Sequence, residues 1–153
     1  MRRFGIRLCR ICIALSGVAG LARHATAQAT PAGLWNTISD TDGRPTAIVE
    51  IREDNGEYVG IVRGLLVPAD PEDSVCGKCS GERKGQRVVG MEILRHMRRD
   101  ANGEWSGGEI LDPETGKTYR AKMKLENDGL KLVVRGYVGF SLFGRSQTWV
   151  RRP

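Results

Sequence analysis

Tyr119, Ala121, Met123 and Leu125 alternate with Arg120, Lys122 and Lys124, a run of strict period two. That period belongs to a strand with one buried and one wet face. It recurs at Ala47, Val49 and Ile51 against Glu50 and Arg52, and at Leu130, Leu132 and Val134 against Lys131 and Arg135. Val59 and Ile61 with Leu65 give a weaker version, and residues 105–111 and 147–151 complete the set of predicted strands. The stretch 88–99 fits either a helix, through Met91, Leu94 and Arg95, or a strand in which Glu92, Leu94 and His96 oppose Ile93 and Met97; it is read as a strand. Between these segments stand Asp42-Gly43, Asn55-Gly56, Asn102-Gly103, Thr115-Gly116 and Asp128-Gly129, dipeptides suited to the positive φ of tight hairpin turns. The glycines recur every 13 residues within each cluster, 43 to 56 and 103 to 116 to 129, which leaves one long strand per interval. The pattern predicts an all-β domain, a single antiparallel meander β-barrel of about eight strands.

The N-terminus breaks this rhythm. Arg2, Arg3, Arg7 and Arg10 precede an apolar run over 11–21 and small residues at Ala25-Thr26-Ala27 and Ala27-Gln28-Ala29, the three parts of a secretory signal. The run is short of the roughly 20 residues that span a bilayer. Residues 1–29 are therefore expected to be a signal peptide cleaved after Ala27 or Ala29. Residues 30–153 would be the mature domain, with no transmembrane anchor and a periplasmic address ahead of release outside the cell. The leader carries five arginines and no acid, so its loss takes the formal charge from +6 to +1. A nucleic-acid partner, which calls for a dense positive surface, loses its main support.

Cleavage would leave Cys76 and Cys79 as the cysteines and His96 as the histidine of the mature chain. Three such residues fall short of the four ligands of a structural zinc site, so no metal is expected. Cys76-Gly77-Lys78-Cys79 lies in a Pro/Gly/Ser-rich loop at about 67–87 and reads as a structural disulfide in an oxidising compartment. A redox-active pair is the alternative, since a neighbouring lysine lowers a thiol pKa. Ser141, between Gly139 and Phe143, lacks the second glycine of a nucleophile elbow, and no phosphate loop or nucleotide fingerprint follows. No catalytic residue, enzyme activity or cofactor is expected.

Gly33-Leu34-Trp35 opens the first predicted strand and Trp149-Val150-Arg151-Arg152 closes the last. This resembles the lipocalin-like (calycin-like) superfamily, in which a basic residue of the last strand lies across a first-strand tryptophan and closes one barrel end. Trp35 with Arg151 or Arg152 is the matching pair. Four blocks carry a more specific resemblance: Gly33-Leu34-Trp35, the cysteine pair, the run 108–119, and 135–139 leading into 143–149. They are similar to the exported bacterial family known as domain of unknown function 2147, which implies a single lipocalin-like barrel without an established activity.

Two functions follow from such a barrel. The first is binding or carriage of a small apolar or amphiphilic ligand, with Tyr119, Arg135, Tyr137, Phe140 and Arg145 as candidate lining or entrance residues, parity setting Arg135 and Tyr137 in question. The second is a packed barrel acting as a cell-envelope protein-interaction module. In that case the glycine-flanked run Phe140, Ser141, Leu142, Phe143, readable as a flap, a surface patch or an interior plug, or else the disulfide loop, would meet the partner.

Overall fold

The structure, a computed structural model, describes residues 29–66 and 74–153. Residues 1–28 of the expected signal peptide, with Cys9 and Cys12, and the start of the cysteine loop, with Pro68 and Pro71, lie outside them. Eight strands follow in order: β1 (Gly33–Ile38), β2 (Pro45–Asp54), β3 (Glu57–Leu65), β4 (Glu92–Arg99), β5 (Trp105–Asp112), β6 (Lys117–Glu126), β7 (Lys131–Tyr137) and β8 (Gly144–Arg151). Each pairs antiparallel with its sequence neighbour, and β8 returns to β1 to close the barrel. Closure leaves no strand edge unpaired, which removes the main hazard of an exposed sheet. The glycine turns do what their chemistry requires: Gly43, Gly56, Gly103, Gly116 and Gly129 all adopt φ between 69° and 83°.

The inward face follows the alternation along β2, β6 and β7, where Val49, Ile51, Ala121, Met123, Leu132 and Val134 are buried in one core. Two predicted faces are corrected. On β3 the core takes Tyr58, Val62 and Leu65, while Val59 and Ile61 stand on the opposite face. A register shift between the Ile48 and Val49 pairings lets Val62 and Leu65, three residues apart, share the inside. On β4 both Leu94 and Met97 are fully buried, because His96 sits at φ 58° and reverses the parity between them. The stretch 88–99 is accordingly a strand only from Glu92, entered by a turn over Val88 to Met91.

Candidate functional site

The two ends of the barrel are built differently. At one end Trp35 is fully buried, its Nε1 donates to the Pro31 carbonyl at 2.8 Å, and the Arg151 guanidinium lies 4.2 Å from its ring centroid. Arg151 is the partner, not Arg152, which reaches Asn36 instead at 3.3 Å. Arg151 also donates to the carbonyls of Gly129, Ala32 and Thr30 at 2.7, 2.8 and 2.8 Å, tying the β6–β7 turn and the N-terminal segment into one plug. Burial lowers its pKa from the ordinary arginine value, yet a guanidinium remains protonated at neutral pH. Gly33, at φ 131°, is the residue that admits it: a Cβ there would stand 2.7 Å from Arg151 Nη1.

The other end is open. A cavity of about 830 Å³ enters the barrel between the β1–β2, β3–β4, β5–β6 and β7–β8 connections. Its deep wall is apolar, with Val49, Val62, Ile93, Ile110, Val134 and Trp149. A polar strip interrupts that wall on β1, β2 and β8. Thr46, extra in the β1–β2 register, meets Thr37 hydroxyl to hydroxyl at 2.7 Å, and Trp149 Nε1 donates to Gln147 Oε1 at 2.8 Å. The charged residues of the wall, Asp40, Asp112, Glu114 and Arg145, all stand at the mouth. Arg145 donates to Asp40 at 2.7 Å, a bond that joins β8 to the β1–β2 loop across the rim.

The candidate lining residues divide. Tyr119 lines the cavity beside Gly136, Arg145 stands at the mouth, and Tyr137 forms part of the rim although it pairs in register with Arg120 on the outer face. Arg135 and Phe140 are not on the wall. Arg135 points outward and donates to the Ser141 carbonyl at 2.7 Å, the Leu142 carbonyl at 3.2 Å and the Ser146 hydroxyl at 2.9 Å, which braces the β7–β8 loop. That loop is not an interior plug: Phe140, Leu142 and Phe143 are 78%, 83% and 76% exposed. The residues that sequence reasoning missed are Thr37, Thr46 and Gln147. Gln147 shares the parity of Trp149 and Arg151, a signal present in the sequence, whereas Thr46 turns inward only through its register shift.

Cys76 and Cys79 form a disulfide and are both buried. Backbone bonds between Cys76 and both Gln86 and Gly85 fold the loop back on itself. The β5–β6 turn packs so closely beneath it that a Cβ on Gly116 would lie 2.1 Å from the Lys78 carbonyl oxygen. Ser74, Val75 and Val88 of the same loop line the cavity, so the disulfide shapes one side of the entrance. Among the described residues no group of three His, Cys, Asp or Glu is placed to hold a metal ion, and no helix is long and apolar enough to cross a membrane.

Comparison with known proteins agrees with this architecture. The model of the bacterial family described as "uncharacterized protein conserved in bacteria (DUF2147)" matches residues 33–151. The fold is similar to that of protein HP1028 from the human pathogen Helicobacter pylori, described as belonging to the lipocalin family. The TM-score is 0.70 and the identity 17%, over 81% of this chain and 84% of that one. At that identity the likeness speaks to fold. No curated protein matches the chain.

Proposed function

From the premise that this chain belongs to the bacterial DUF2147 family, and from its hollow barrel, we propose that it binds and carries a small apolar or amphiphilic molecule. The single observation behind this reading is the cavity of about 830 Å³, open at one end and apolar in its depth. Ligand sites run from roughly 300 to 1,000 Å³ with mostly hydrophobic walls and a few placed polar groups. A packed interaction module would instead have filled the interior with side chains. The protein works as a non-catalytic carrier, and the leader at 1–29 gives it a periplasmic address. Native mass spectrometry of protein recovered from the periplasmic fraction of its own bacterium tests both halves. A retained small molecule on a chain lacking its first 27 or 29 residues is the expected result. Full-length chain in the cytoplasmic fraction, or a stoichiometric protein partner with no small molecule, overturns the reading.

A further inference from the structure

The polar strip inside the cavity narrows the ligand, on the reading that the cavity is a binding site. An indole N–H only donates, so the Gln147 amide atom 2.8 Å from Trp149 Nε1 is its oxygen. With the oxygen held there, the amide NH2 is turned away from Trp149, and among the described residues it has no hydrogen-bond partner. The Thr37 and Thr46 hydroxyls are already engaged with each other and with the backbone. Within this strip, Gln147 is therefore the side chain with donor hydrogens left over. It carries no charge, and among the described residues no cation stands deeper than the mouth: Arg145 is the cation they place on the wall, and it is tied to Asp40. Asp112 and Glu114 add two further carboxylates to the same rim.

A buried carboxylate would lose its hydration with no cation to replace it, and would pass a rim with more acids than bases on the way in. A neutral acceptor loses far less and gains a bond to the waiting NH2. We infer that the ligand is an uncharged lipophile bearing a hydrogen-bond acceptor, such as an ester, amide or ketone carbonyl, seated on Gln147, and that the barrel selects against fatty-acid anions.

Displacement of the neutral fluorophore N-phenyl-1-naphthylamine by methyl decanoate and by decanoate at pH 8 tests this. The ester should displace the probe at a concentration at least about tenfold lower than the carboxylate. Gln147→Leu should weaken the ester about tenfold more than it weakens the probe, and Gln147→Glu, which keeps an acceptor for Trp149 Nε1 and removes the NH2, should weaken the ester at least as much. Decanoate binding as tightly as the ester, or an ester affinity that ignores both substitutions, overturns the inference and leaves the cavity reading standing. A wild-type protein that binds no probe at all overturns the cavity reading, and this inference with it.

Discussion

Single residues decide how the closed end holds. Arg151 combines a cation–π contact with Trp35 and three hydrogen bonds to main-chain carbonyls, two of them part-buried. Arg151→Ala should destabilise the barrel by about 2–4 kcal/mol, with Arg151→Lys between, because a lysine keeps the charge and loses the planar fork. Urea denaturation of the three proteins checks the order. A second prediction concerns Glu57, whose carboxylate accepts from His96 Nδ1 at 2.8 Å and from the Arg98 guanidinium. The bond from His96 first, and then that from Arg98, holds its pKa below the ordinary 4.5. A depressed carboxylate contributes stability above its unfolded pKa and loses it as pH falls through the folded one. The urea midpoint of the wild type should thus exceed that of Glu57→Gln at pH 6, and the gap should narrow as pH falls below 4.5 toward the folded pKa. Trp35 with Arg151 was legible in the sequence because a glycine–tryptophan start and a basic end are local signals. The brace from Arg135 to the β7–β8 loop was not, since two main-chain carbonyls across a turn leave no trace in residue type.

At the level of strands and loops, turn chemistry located nearly every hairpin, and alternation assigned the faces of β2, β6 and β7. Bulges account for the rest. His96 adopts a left-handed φ that side chains other than glycine seldom take, and a one-residue change of register sends later side chains to the other face. Nothing in a period-two pattern marks where that occurs, so Met97, Val62 and Thr46 were assigned to the wrong face or passed over. The cysteine loop carries its own prediction. Its disulfide closes a ring of four residues, Cys76 to Cys79, and rings that small restrain the unfolded chain little. Cys76→Ser with Cys79→Ser should lower stability by about 1–2 kcal/mol by differential scanning calorimetry, while shifting ligand affinity through Val75 and Val88 at the entrance.

For the molecule as a whole, the two ends complement each other: one is sealed by Arg151 over Trp35, and the other opens through loops onto an apolar interior. Exposed Phe140, Leu142 and Phe143 stand on the β7–β8 loop, and Phe143 also lines the cavity, so the apolar surface runs from the wall out to the mouth. The meander barrel was readable from the sequence because each strand pairs with the next. Its hollowness was not, because void space depends on how far facing side chains reach across the barrel. Val134, buried on the cavity wall, is the position for the decisive comparison. Fluorescence titration of wild type and Val134→Phe with N-phenyl-1-naphthylamine should give saturable binding at one molecule per wild-type chain. The variant should lose at least about tenfold in affinity while melting no lower than the wild type, because the added ring occupies empty space. Failure of the wild type to bind the probe, or equal binding by both proteins, would contradict a ligand site inside the barrel.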